Sequence, residues 1–235
     1  MDDRLAEFDL RPQPTAERPL LGVTILVVED SRYASEAIRL MSLRSGARLR
    51  RADCLASAER HLNVYSPTVA IIDLGLPDGS GLDLIASMAA TKQRVQVILG
   101  TSGAEREAAE AAVLASGADG FIPKPVSSVA AYQEAILAHL PHAQQPNGPR
   151  VVTTVNVDPD PLALREDLSH AMDLLALERP PVGYLRRFLI GVARGVKDSS
   201  LEDHAARMSE TLGAPDRAAL RAILSGRIQA VGAVV

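Results

Sequence analysis

The stretch AIIDLGLPDGSG, residues 70–81, decides how this chain folds. The run Val69–Ile72 is apolar at every position and stops at Asp73, after which Gly, Pro and Asp dominate. A short run without polar alternation is the signature of a strand buried on both faces, and the turn residues mark its end. Leu82, Ile85 and Met88 then recur at helical spacing. Residues 69–90 therefore read as a buried strand, an acidic strand end and an amphipathic helix.

Outward from this point the same unit repeats. Apolar runs occur at Val23–Val28, Val95–Leu99 and Gly120–Ile122, with a weaker one near Arg48–Ala52. Helical stripes follow them, such as Ala34/Ala37/Ile38/Met41, Leu55/Ala58/Leu62, Ala108/Ala111/Ala112/Ala115 and Val129/Ile136/Leu140. Five such units predict an α/β domain over residues 20–140: a flavodoxin-like, doubly wound, five-stranded parallel sheet. Residues 1–19, with Pro12, Pro14 and Pro19, read as a mobile leader. Residues 141–159 read as a Pro- and Gln-containing linker, within which VVTTVNV (151–157) leaves a short edge strand open. Residues 160–235 carry four helical stripes, enough for a small all-α domain. Asp160-Pro161 opens the first stripe, Pro180-Pro181 precedes the second, a Ser199–Glu202 capping box starts the third, and Pro215 opens the fourth.

Composition narrows the class. Aromatics are only 3% of the chain and Trp is absent, so the core must be built from Ala, Leu, Val and Ile. A net charge of −4 argues against strong non-specific attraction to nucleic acid or anionic lipid. Cys54 is the sole cysteine, which rules out an internal disulfide and fits a reducing compartment. It reads as a small apolar side chain rather than a redox sensor. The acidic start MDDRLAEFDL lacks the apolar centre of a secretory signal, and no apolar run approaches the roughly 20 residues that span a bilayer. The expectation is a cytoplasmic protein with no membrane partner.

In an open parallel sheet, chemistry gathers beyond the carboxyl ends of the strands. The first strand ends at Glu29-Asp30 (ILVVEDS), the third at Asp73, the fourth at Thr101-Ser102 (VILGTSG) and the fifth at Lys124-Pro125 (GFIPKP). Three carboxylates converging on one edge repel each other unless a cation joins them. An all-oxygen set of this kind suits Mg²⁺, which keeps several waters and bridges phosphate oxygens. Adding a lysine and a threonine hydroxyl gives a site in which one carboxylate can attack a phosphoryl group while cations neutralise the charge that develops. Ser102 with Glu105 reads as a capping box for the following helix.

This arrangement resembles the receiver domains of bacterial response regulators, over residues 22–140. The resemblance implies that Asp73 is the phosphoacceptor and that Mg²⁺ is held by Glu29, Asp30, Asp73 and the backbone carbonyl of Gly75. It further implies that Thr101 is the switch hydroxyl, that Phe121 is an aromatic rotamer switch, and that Lys124 pairs with the phosphate next to a cis Pro125. For Phe121, ordinary core packing is the other reading. The implied partners are a cognate sensor histidine kinase or phosphotransfer protein, and the implied role is a signalling switch rather than an enzyme. Gly75 stands where a haloacid-dehalogenase phosphatase would carry its second aspartate. With Gly75 and Gly103 flanking the site, the phosphoryl group is expected to be open to water.

The output is less legible. The region after residue 141 has no Gly-rich phosphate loop, metal triad or nucleophile motif. His139 and His142 are separated by Pro141, and His170 is followed by Ala171 where a phosphorylatable histidine would want an acid. Residues 151–235 hold ten Arg and Lys against eleven Asp and Glu. That balance favours protein interaction or dimerisation over DNA binding, which wants a basic face. The alternative is a DNA-binding regulator with a divergent helix-turn-helix in residues 181–235, where Arg217 and Arg221 share a face.

Overall fold

The computed structural model describes residues 12–126, 128–149, 151, 157–209 and 211–232. Five parallel strands form the sheet: β1 (Thr24–Val28), β2 (Arg48–Ala52), β3 (Val69–Asp73), β6 (Val97–Ser102) and β7 (Gly120–Pro123), in the order β2-β1-β3-β6-β7. A small antiparallel pair, β4 (Gly75–Leu76) and β5 (Gly79–Ser80), follows β3. From β1 the chain steps to one side for β2 and then crosses to the other for β3, which is the flavodoxin-like order. That reversal opens a crevice at the carboxyl ends of β1 and β3. Register matters here, because Val28 lies beside Ile72 and Asp73 beside Thr101. β2 is an edge strand whose residues RLRRA alternate in burial, which explains its weaker apolar signal.

The strands' two-residue period sends side chains to both faces. Ile25, Val27, Ile71 and Leu99 pack under α1 (Arg32–Ser45) and α5 (Val129–Leu137), around Ile38, Met41, Tyr132 and Ile136. Leu26, Val28, Ala70, Ile72 and Ile98 pack under α2 (Leu55–Val64), α3 (Gly81–Ala90) and α4 (Arg106–Ala115), around Ala58, Leu84, Ile85 and Val113.

The helical domain consists of α6 (Pro161–Ala176), α7 (Val182–Gly195), α8 (Ser199–Ala206) and α9 (Ala214–Gly232). Its core gathers Leu168, Ala171, Leu175, Leu185, Leu189, Val192, Ala205 and Leu224. Asp160 caps α6 by accepting from Leu162 N at 2.8 Å, with Pro161 behind it, as the sequence suggests.

Several local expectations are corrected. Residues 12–19, expected as part of a mobile leader, lie along the domain. Pro19 is buried, and Arg18 packs over Gly46, whose φ of 88° ends α1 in the left-handed region that suits glycine. Leu20 N donates to Ser45 O at 2.8 Å, so burial of Leu20 ties this segment down. Residues 1–11 and most of VVTTVNV lie outside the described residues. At the start of the expected linker, Gln145 Nε2 donates to the carbonyls of Leu137 and Leu140, tying off the end of α5. Ser102 does not cap α4; its Oγ accepts from Ala104 N, and Glu105 is the cap, accepting from Glu107 N and Ala108 N. A longer carboxylate reaches two amides at once, so the helix starts three residues later. Likewise Asp198 rather than Ser199 caps α8, and Glu202 turns away to pair with Arg194 at 2.7 Å.

Candidate functional site

Of the strand-end residues named from the sequence, the crevice collects Glu29, Asp30, Asp73, Ser102 and Lys124. Glu29 and Asp73 are buried and Asp30 is half-buried. One oxygen from each carboxylate lies within 4.8 Å of the others. Lys124 enters from β7, after a cis bond to Pro125, and its Nζ sits 2.8 Å from Asp73 Oδ1 and 2.6 Å from Glu29 Oε2. The one ammonium is thus shared between two buried carboxylates. Gly75 N donates to Asp73 Oδ2 at 3.2 Å, fixing the carboxylate.

Charge follows from this packing. Burial pushes the Glu29 carboxyl up to about 8; Lys124 opposes the rise, while Asp73 and Asp30 add to it. Burial and the Asp73 charge raise Asp30, against a hydrogen bond from Tyr184. The ammonium of Lys124 is held charged well above its ordinary range, because Asp73 and Glu29 together outweigh its burial. Three crowded carboxylates that share a single ammonium have the donor chemistry of a hard divalent cation. The residues present fit Mg²⁺.

Thr101 lies near the end of β6 and Phe121 within β7. Thr101 is buried and its hydroxyl donates to Ile122 O at 2.7 Å, so it is satisfied by β7. Phe121 is half-buried against the α2–α4 side of the sheet. Cys54 sits half-buried at the start of α2. His170 is exposed on α6, its ring edge against Phe188 at 5.5 Å, consistent with a surface histidine.

A second part of the site comes from the helical domain. Tyr184 on α7 donates from its hydroxyl to Asp30 Oδ2 at 2.6 Å. Asp167 on α6 is buried at the amino end of α1, where it accepts from Ser31 Oγ (2.6 Å), Arg32 N (2.6 Å) and Tyr33 N (3.0 Å). That end carries the partial positive charge of the helix, so a buried carboxylate is well placed there. A Cβ built on Gly103 would lie 3.9 Å from Gly191 of α7, and one built on Gly75 would lie 3.8 Å from Arg187. α7 therefore stands beside the two glycines, with a cavity left between it and the strand ends. Sequence reading missed Asp167, Tyr184 and Arg187. Asp167 had a signal, since it stands between Leu164, Leu168 and Ala171 on the apolar face of α6. Tyr184 and Arg187 had none, because a tertiary contact alone gives them their place.

With this geometry in hand, comparison with known families is decisive. The family profile "Response regulator receiver domain" matches residues 25–136. Residues 25–136 are a response regulator receiver domain. The chain is 29% identical to the virulence transcriptional regulatory protein PhoP of Salmonella typhi over 154 residues, 65% of this chain and 66% of that protein. It is 30% identical to the transcriptional regulatory protein PhoP of Escherichia coli (strain K12) over 115 residues, 48% of this chain and 51% of that protein. The matched region thus spans two thirds of these relatives or less. Among solved structures, a putative response regulator from Chloroflexus aurantiacus J-10-fl is similar over 49% of this chain and 98% of its own, with 24% identity and a TM-score of 0.46. Chemotaxis response regulator CheY4 of Vibrio cholerae is similar over 50% of this chain and 98% of its own, with 18% identity and a TM-score of 0.47. Among the described residues of this chain, no helix is long and apolar enough to cross a membrane.

Proposed function

We propose that this protein is a phosphorelay switch that carries a phosphoryl group on Asp73. The observation that carries this reading is the placement of Lys124 Nζ against both Asp73 and Glu29, beside a carboxylate cluster fit for Mg²⁺. Glu29, Asp30, Asp73 and the carbonyl of Gly75 would hold the ion, which supplies charge neutralisation on phosphoryl oxygens when bound. Asp73, positioned by Gly75 N and Lys124, attacks the phosphorus of a sensor kinase phosphohistidine or a small acyl phosphate in line. One Asp73 oxygen forms the new bond, and the donor's bond to phosphorus breaks with its electron pair leaving on the donor. Lys124 then faces the phosphoryl oxygens, and the Thr101 hydroxyl exchanges Ile122 O for one of them. Such a change at one hydroxyl is the kind of local event that biases a two-state element.

For the output there are two readings. Protein interaction or self-association rests on the charge of the helical domain. Transcriptional control by DNA binding through residues 181–235 has more support from the relatives, which are named transcriptional regulators. The three-residue turn Val196–Asp198 between α7 and α8 also has helix-turn-helix length. Against it, α8 contains Glu202 and Asp203 and no Arg or Lys. In α9, Arg217 donates to Glu178 O and Arg227 pairs with Asp198. The test is uptake of labelled phosphate from acetyl phosphate with Mg²⁺ and with EDTA, followed by selection of random duplex DNA by the labelled protein. Mg²⁺-dependent labelling supports the switch, and its absence removes it. Enrichment of a DNA sequence establishes the second reading, while a phosphorylation-dependent dimer without enrichment establishes the first.

A further inference from the structure

The helical domain stands over the phosphoacceptor. Between α7 and the strand ends lies a cavity of about 800 Å³, bordered by Asp30, Asp73 and Lys124 on one side and by Tyr184, Arg187 and Gly191 on the other. A water takes roughly 30 Å³, so a phosphoryl group with a hydrated ion fits without displacing the helix. Tyr184 and Arg187 are three residues apart on one helix face, and the Tyr184 contact to Asp30 fixes how that face is turned. A Cβ on Gly75 would touch both Asp73 Oδ2 (3.6 Å) and Arg187 Nε (3.8 Å), so the two groups face each other across the gap that this glycine leaves. Lys124 is already shared between two carboxylates. A phosphoryl group adds roughly one and a half to two further negative charges. Arg187 is exposed and has no carboxylate partner among the described residues.

We propose that Arg187 is a phosphoryl-binding residue supplied to the receiver site by the helical domain of the same chain. Its planar fork suits two phosphoryl oxygens, which a point-like ammonium cannot match. The helical domain would then sense phosphorylation directly at the reacting group, with Tyr184 and Asp167 as positioning residues that keep α7 in place.

This inference rests on Asp73 carrying the phosphoryl group. Its test is calorimetric titration of the full chain with beryllofluoride in Mg²⁺, comparing wild type with Arg187→Ala, Arg187→Lys and Asp73→Asn, alongside Mg²⁺ titrations without the mimic. The expected result is roughly tenfold weaker binding of the mimic by Arg187→Ala, partial recovery in Arg187→Lys, and unchanged Mg²⁺ affinity in both. Mimic binding by Arg187→Ala equal to or tighter than wild type would overturn the assignment of Arg187 alone. Equal weakening of Mg²⁺ and mimic would also overturn it, since that marks a structural effect. A wild type that binds no mimic would remove the acyl phosphate reading itself, and this inference with it.

Discussion

At the scale of single residues, the site is set by how many charges share one buried corner. Burial, against the opposing Lys124 charge, raises the Glu29 carboxyl to about 8 in the metal-free folded protein, from an ordinary value of 4.5. The folded state therefore binds more protons than the unfolded chain between those values, so this group's contribution to stability falls as pH rises from about 4.5 to about 8. Asp30 and Asp167 shift in the same direction, both chiefly through burial. The expected outcome without metal is a melting temperature that drops by a few degrees between pH 5 and 8, with millimolar Mg²⁺ restoring most of it at the upper end. Scanning calorimetry at several pH values checks this. A metal-free melting temperature that climbs over the same interval would show the carboxylates to be better paired than the packing indicates. Asp73, Glu29, Asp30, Thr101 and Lys124 were all legible in the sequence, because each ends a strand and the strand ends must meet. Their partners across the domain boundary were not, since nothing in residues 182–195 announces which face of α7 meets a carboxylate.

At the scale of elements, position depends on backbone fit as much as on side chains. Gly81 opens α3, and a Cβ built there would overlap the Asp73 carbonyl and crowd Leu74. Gly81→Ala should displace the end of the Asp73 strand, destabilising the protein by about 1–3 kcal/mol and slowing the proposed phosphate uptake although no side chain of the site is altered. Denaturant melts and labelling rates measure the two effects, and a variant as stable and as fast as wild type would contradict the packing. Asp167 is the corresponding feature at α1, where a carboxylate from another helix does the work of a cap. Asp167→Ala leaves those amides without that acceptor and should cost about 2 kcal/mol, read from denaturant melts. The apolar runs and helical stripes disclosed most elements. They misplaced the caps of α4 and α8, because a serine and an acid near a helix start compete and the longer carboxylate reaches more amides. β2 was faint for the same reason that it is an edge: half of its side chains need not be apolar.

At the scale of the whole molecule, two cores meet beside the carboxylate cluster. The receiver domain buries both faces of its sheet and the helical domain buries its own cluster, so each has the apolar interior a domain requires. At the site they are joined by Asp167 and Tyr184, alongside the Arg32–Glu166 ion pair and the close approach of Gly195 to the Tyr33 ring. Combining Asp167→Ala with Tyr184→Phe should therefore increase the radius of gyration in small-angle scattering while helical circular dichroism is retained. An unchanged scattering profile would locate the union of the domains elsewhere. The chain's division into an α/β part and a helical part could be read from its periodicities; the docking could not, because scattered polar contacts between domains leave no periodic trace. The central claim is chemical and can be tested at one residue. After reaction with acetyl phosphate and Mg²⁺, borohydride reduction converts an aspartyl phosphate to homoserine, which peptide mass mapping locates. The account predicts homoserine at position 73 in wild type and none in Asp73→Asn, whereas homoserine at another position, or equal yield in Asp73→Asn, would contradict it.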